Sequence, residues 1–235
     1  MCGRYTLTNP DPKPIALRFG LPGSSFEFDE RPRFNIAPTD SVLAVRQLGG
    51  GDGGESVPPH RDLGSLRWGL LPGLWAMKGQ RPLINARAET VATQPAFSES
   101  FELRRCLIPA DGFYEWRRDP DGKQPIFISR PDRELFAFAG IWAELERRDE
   151  ETIYSCTLIT CEPNSLLAPI HNRMPVILDP DSEPTWIDPD ADPSTLLSLL
   201  RPAPEDLLTT LEVADAVNNV REDGPHLLER PMKLF

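Results

Sequence analysis

The sequence has little cysteine, little histidine and no long apolar run, and each shortage removes a class of protein. Four cysteines (Cys2, Cys106, Cys156 and Cys161) in 235 residues are too few for a disulfide scaffold. Three scattered histidines (His60, His171 and His226) leave no closely spaced set of zinc ligands, so no metal is expected. No stretch approaches the ~18 apolar residues of a membrane span. The start lacks a basic region followed by an apolar one, so no signal peptide is expected. The chain is therefore read as cytoplasmic, or nuclear in a eukaryote. A phosphate loop is also missing. The glycine-rich run Gly49–Gly54 is not followed by Lys-Ser/Thr and the start of a helix. It is read as a flexible hairpin extension over residues 49–64, and no cofactor is expected.

Positive charge is scarce as well. A net charge of −11 argues against coating nucleic acid by bulk electrostatics. The distribution qualifies this. Residues 179–235 hold 13 acidic and 4 basic side chains, a net of −9. Residues 1–178 hold 23 and 21, a net of −2, and have room for a local basic cleft. The acidic segment keeps an apolar pattern (Leu207, Leu208, Leu211, Val213, Val217), so it is expected to pack on the same domain.

Proline is plentiful, with 26 residues spread along the chain, which limits long helices. Runs rich in β-branched and aromatic residues predict strands at Arg4–Thr8, Ser41–Gln47, Leu107–Ile108 leading into Phe113–Trp116, Pro125–Ser129, Leu135–Trp142 and Ile153–Thr160. Helices are predicted at Asp11–Phe19, Ala96–Leu103, Pro163–Leu167, Asp181–Trp186 and Ser194–Leu200. This order is not a regular β-α alternation. It predicts one α+β domain over 1–235, with a mostly antiparallel, barrel-like β core and short peripheral helices.

The chain begins Met1-Cys2-Gly3-Arg4. Cys2 is small and Gly3 unhindered, which favours removal of Met1. Cys2 would then carry a free α-amine and a thiol on adjacent carbons. An aldehyde attacked by that amine gives an imine, and the thiol can close a five-membered thiazolidine. An α-amine near ~8 and a thiol near ~8.5 suit neutral pH far better than a lysine near ~10.4. Taken alone, an early cysteine reads first as a small buried hydrophobe.

Five further segments set polar residues beside proline and tryptophan: Arg33–Thr39, Arg67–Gly73, Leu83–Thr90, Arg105–Trp116 and His171–Pro175. Together with Met1–Arg4 and the late run Ala216–Val220, they resemble the SOS-response-associated peptidase (SRAP) family of abasic-site processing proteins. The resemblance extends from Cys2 to about Pro225. It implies a sensor of abasic sites in single-stranded DNA that crosslinks through a thiazolidine at the N-terminal cysteine. It also implies removal of the protein's own leading methionine, with strand cleavage by β-elimination as a competing outcome.

Carried over residue by residue, the resemblance makes Cys2 the crosslinking nucleophile. Asn85 would orient the sugar and the amine, although it also reads as a turn residue. Glu115, between Tyr114 and Trp116, would be a partly desolvated proton carrier, or else an exposed glutamate paired with an arginine. His171 would shuttle protons at neutral pH, or sit hydrogen-bonded at a loop corner. Its spacing from Arg173 would put both on one side of an extended chain. Arg4, Arg87 and Arg173 resemble phosphate-binding arginines, each of which alone reads more readily as a surface or ion-pair arginine. Arg33, Arg67, Arg105 and Arg117 are secondary candidates. Trp68, Leu71, Pro72, Pro38 and Trp116 form a candidate wedge on which flanking bases would stack, core packing being the alternative. Asn218 and Asn219 have no assigned role.

The expected partner is single-stranded DNA containing abasic sites, bound by a monomer, with no membrane. Two other readings stay open: an N-terminal-nucleophile peptidase or amidohydrolase, and a non-covalent reader of modified DNA.

Overall fold

A computed structural model describes residues 2–21, 31–49, 60–72, 81–120, 122–146 and 151–231. The β-branched and aromatic runs form the strands β1 (Tyr5–Leu7), β2 (Arg33–Ile36), β3 (Ser41–Leu48), β4 (His60–Trp68), β5 (Asn85–Arg87), β6 (Arg105–Ala110), β7 (Gly112–Asp119), β8 (Gly122–Ser129), β9 (Phe136–Leu145), β10 (Ile153–Cys161), β11 (Met174–Pro175), β12 (Ile177–Leu178) and β13 (Thr209–Glu212). The helices are short, as the prolines require: α1 (Pro12–Phe19), α2 (Ser98–Leu103), α3 (Glu183–Ile187) and α4 (Pro193–Leu199). The side chain of Asp11 caps α1, and that of Asp192 caps α4.

The architecture is α+β with a barrel at its centre. Strand β10 pairs in parallel with β4, antiparallel pairs then run β4–β3, β3–β6 and β6–β9, and β9 returns to β10. This ring closes a five-stranded barrel and leaves its strands without open edges. Strand β5 adds to β10 in parallel, while β11 and β12 extend the sheet. A second sheet runs in the order β13-β8-β7-β1-β2.

The second sheet is sandwiched between the barrel and the acidic segment. Tyr5 of β1 meets Trp68 edge-on at 5.4 Å and Phe138 at 5.8 Å, and Phe113 of β7 meets Phe138 at 5.9 Å. On its other face, Tyr114 and Phe127 pack with Val213, Val217 and Leu227 of the C-terminal segment. Strand β13 pairs with β8, so the acidic segment is built into the sheet, as its apolar pattern predicts. Side chains alternate along a strand, so Phe113 and Tyr114 go to opposite faces, and Glu115 follows Phe113 toward the barrel.

Several expectations need correction. Pro163–Leu167 is not a helix. Turns occupy residues 165–170, and Asn164 Oδ1 accepts from the Leu167 amide. The expected insertion is shorter, because His60–Gly64 belongs to β4, which pairs with β3 up to Leu48↔His60. Residues 50–59 of that expectation lie outside the described residues. Strands β2, β4, β5, β11, β12 and β13 are not among the predicted ones. No helix among the described residues is long and apolar enough to cross a membrane.

Candidate active site

Strand β1 is short, yet it delivers the start of the chain to a fixed place. It lies between β2 and β7, with Tyr5 opposite both Ile36 and Phe113. The buried carboxylate of Asp111 pins it, accepting from Thr6 Oγ1 at 2.5 Å, Thr8 N at 2.6 Å and Thr8 Oγ1 at 2.6 Å. Gly112 leaves room for both neighbouring strands, because a Cβ there would stand 2.2 Å from the Phe127 ring of β8 and 3.0 Å from Thr6 Oγ1 of β1. The Tyr114 amide donates to the Arg4 carbonyl at 3.0 Å, which continues the ladder one step toward the terminus. The same register carried further sets Gly3 opposite Glu115.

Cys2 is fully buried, and its Sγ lies 3.7 Å from the Arg4 carbonyl oxygen. Burial pushes the thiol pKa well up, with the neighbouring Glu115 charge adding to the effect. This corrects the expectation of a thiol near its ordinary value. From the barrel side, Asn85 Nδ2 donates to the Cys2 carbonyl at 2.8 Å. Asn85 opens β5 beside Leu158 of β10 and is a strand residue, not a turn residue. Its Oδ1 is buried and has no donor among the described residues, so one amide acceptor points into the site unused.

Glu115 is 2% exposed, which rules out the exposed-strand alternative. Desolvation raises its pKa to about 7, against the pull of the amino-terminal charge. The His171 pKa is lowered, first by burial and then by the amino-terminal charge and Arg118. The Glu115 charge acts on the Cys2 thiol, and the Asn85 amide approaches the same residue from the barrel side. The expected extended run at His171 is a bend. His171 Nδ1 faces the backbone of Arg173, accepting from its amide at 3.0 Å and lying 3.3 Å from its carbonyl oxygen.

The arginines divide by partner. Arg4 donates to Asn35 Oδ1 at 3.1 Å and to the Val217 carbonyl at 2.8 Å, both neutral acceptors. Arg87 is exposed, and among the described residues neither Arg4 nor Arg87 forms a salt bridge. Arg173 is different. Its two terminal nitrogens grip Glu89 at 2.6 and 3.0 Å, and Nη2 also donates to the Thr160 carbonyl at 2.5 Å. Among the secondary candidates, Arg105 is a correction. It is buried and donates only to the carbonyls of Phe101, Glu102, Trp186 and Asp188, which makes it a structural brace. Arg33 pairs with Asp40 and Asp223, and Arg117 with Asp119 and Glu212. Arg67 is half-buried.

The candidate wedge is also revised. Trp68 is 0% exposed, and its Nε1 donates to the Ile84 carbonyl at 2.9 Å, so it belongs to the core and offers no surface to a base. Leu71 is buried. Pro38, Pro72 and Trp116 are half-buried at the surface.

The late motif now has a task. Trp116 Nε1 donates to Asn218 Oδ1 at 2.7 Å, Val217 supplies the acceptor for Arg4, and the Asn219 carbonyl accepts from Asn35 Nδ2 at 3.0 Å. Asn35, Asp111, Glu89 and Arg118 were missed in the sequence. Their partners lie far along the chain, and the signal available was only their place inside or beside the polar segments.

Among the described residues no group of three or more histidine, cysteine or acidic side chains could hold a metal ion. A model of the SOS response associated peptidase (SRAP) family matches residues 1–220. The abasic site processing protein YoqW of Bacillus subtilis (strain 168) is 39% identical over 233 residues, covering 97% of this chain and 99% of YoqW. The abasic site processing protein YedK of Escherichia coli (strain K12) is 30% identical, with 97% and 99% covered. The abasic site processing protein HMCES of Gallus gallus is 32% identical over 84% of this chain and 66% of its own length. A crystal structure of a Bacteroides thetaiotaomicron protein superposes with a TM-score of 0.82 over 98% of this chain and 100% of that one, at 23% identity, which shows the shared fold. On the family match and on these full-length relatives, the chain belongs to the SOS response associated peptidase family.

Proposed function

We propose that this chain processes abasic sites in single-stranded DNA by covalent capture on Cys2, after Met1 has been removed. The relatives' names supply the substrate class. The observation that carries the chemistry is the convergence of a buried Cys2, a glutamate with a pKa of about 7, a histidine held neutral and an asparagine on the Cys2 carbonyl.

The steps follow from those protonation states. The α-amine of Cys2 adds to the C1′ aldehyde of the opened deoxyribose, and one water leaves to give an imine. The thiol sulfur then adds to the imine carbon while its proton passes to nitrogen, which closes the thiazolidine. Burial disfavours the thiolate, so the amine attacks first and Glu115 or His171 carries the thiol proton in the second step. The imine acidifies C2′ and opens the way to β-elimination of the 3′ phosphate. Ring closure removes that electron sink and suppresses strand cleavage. Asn85 orients the terminus, Arg4, Arg87 and Arg173 take phosphates, and Pro38, Pro72 and Trp116 border the path of the strand.

Cys2→Ala tests the proposal against its rivals. The variant is expected to bind abasic DNA and form no heat-stable adduct. A normal yield of stable adduct from Cys2→Ala sinks covalent capture at Cys2. A wild-type protein that binds without ever crosslinking favours the non-covalent reader. Cleavage of amide substrates by wild type but not by Cys2→Ala favours the peptidase reading.

A further inference from the structure

Arg173, one of the three proposed phosphate grips, already holds an anion. Both of its terminal nitrogens are taken by the Glu89 carboxylate, in the two-point geometry a phosphate would use. The two side chains are unequally placed. Arg173 is 14% exposed and Glu89 is 48% exposed, so the carboxylate forms the outer member of the pair and meets solvent first. Arg173 does not depend on Glu89 for its aim, because its Nη2 also donates to the Thr160 carbonyl at 2.5 Å. That carbonyl belongs to β10 and is fixed on its other side by the Ala88 amide at 2.8 Å. The Nε of Arg173 is buried and has no acceptor among the described residues. Glu89 sits on a turn two residues after Arg87, whose charge also acts on it.

The geometry points to Glu89 as a displaceable stand-in for a DNA phosphate, a specificity-determining residue that keeps Arg173 neutralised until a strand is seated. A phosphodiester reaches Arg173 only by exchanging with the carboxylate, which turns outward while the Thr160 carbonyl holds the guanidinium in place. The exchange swaps one anion for another, so Arg173 adds little net attraction for intact single strands. A strand also held by Arg4 and Arg87, and captured at Cys2, makes the exchange complete. This inference rests on the proposed reading of the site as a single-strand binder.

The test uses the full chain, a fluorescein-labelled intact single-stranded oligonucleotide and the same oligonucleotide with one abasic site. Glu89→Gln is expected to bind the intact strand ~3- to 10-fold more tightly at low salt. Its salt slope should steepen by about 0.7, the value for one extra phosphate contact on a single strand. Loss of a negative charge anywhere nearby would also strengthen binding, so the deciding arm is the Arg173→Ala background. There the gain from Glu89→Gln should vanish. A gain that persists without Arg173 overturns the gate in favour of bulk charge. Unchanged or weaker binding by Glu89→Gln overturns it in favour of a clamp that aims Arg173. The abasic arm separates this from the larger reading. Wild type that crosslinks normally while Glu89→Gln shows no gain removes the gate alone. Wild type that neither binds nor crosslinks removes the reading of the site, and a Glu89→Gln protein equally inert removes the gate with it.

Discussion

A carboxyl group sealed from water prefers its neutral form, and Glu115 is held at a pKa of about 7 for that reason. Its folded pKa lies above its ordinary value, so its contribution to stability is full at low pH and is lost as pH rises through about 7. A neutral glutamine does not titrate. The unfolding free energy of Glu115→Gln relative to wild type, from chemical denaturation, should therefore be more favourable at pH 8 than at pH 5, by an amount on the order of 2–3 kcal/mol. An offset independent of pH would contradict the burial of this charge. The same variant should lose ~10²-fold or more in single-turnover crosslinking rate with little loss of DNA affinity, as expected for a proton carrier. Lost affinity with an unchanged rate at saturating DNA would show that Glu115 binds and does not carry protons. The motif resemblance nominates Cys2, Asn85, Glu115 and His171, and it says nothing of their protonation states. The Cys2 thiol read as ordinary because nothing next to it in sequence buries it. Its cover comes from β5 and β7, more than 80 residues away.

At the scale of the element, the account turns on β1. Three residues of strand are held by one carboxylate, and Asp111→Ala would leave Thr6 Oγ1, Thr8 N and Thr8 Oγ1 without their acceptor. Hydrogen bonds to charged groups are worth ~1.5–3 kcal/mol each, so the loss should be roughly 3 kcal/mol or more by chemical denaturation. Crosslinking should slow as well, because the strand that positions Cys2 is loosened. Stability and rate both within error of wild type would contradict the clamp. Trp68→Ala should cost ~3–5 kcal/mol as a core truncation, measured the same way. A stable Trp68→Ala protein with weakened DNA binding would restore Trp68 to the wedge. The long strands β3, β9 and β10 were readable from their β-branched and aromatic content. Strand β5 was not, since Asn-Ala-Arg carries no strand signal and is made a strand by β10. Strand β4 was hidden by Asp62 and Gly64 next to the glycine-rich run. Trp68 beside an arginine and a glycine reads as surface, and only barrel closure with Tyr5 against it decides otherwise.

At the scale of the whole molecule, the charge asymmetry is structural. The acidic C-terminal segment lines one face of the second sheet through β13 and the cluster around Val213 and Val217, while the start of the chain lies where that sheet meets the barrel. The α+β barrel class was legible from strand-heavy order and short helices. Barrel closure through the parallel β4–β10 pair was not, because pairing between strands far apart in sequence leaves no local trace. Few phosphate contacts serve the strand, so the logarithm of affinity should fall with the logarithm of salt at a slope of only about −1 to −2. A slope near that of a protein making ten contacts would require a second DNA-binding face.

Covalent capture at the first residue is tested most directly by intact mass spectrometry of the chain before and after incubation with an abasic single-stranded oligonucleotide. The account predicts a protein lacking Met1 and then an adduct equal to protein plus oligonucleotide less one water. That adduct should survive heating without reduction and map to the peptide Cys2-Gly3-Arg4. A stable adduct mapping elsewhere, or one formed on a chain that still carries Met1, would contradict it.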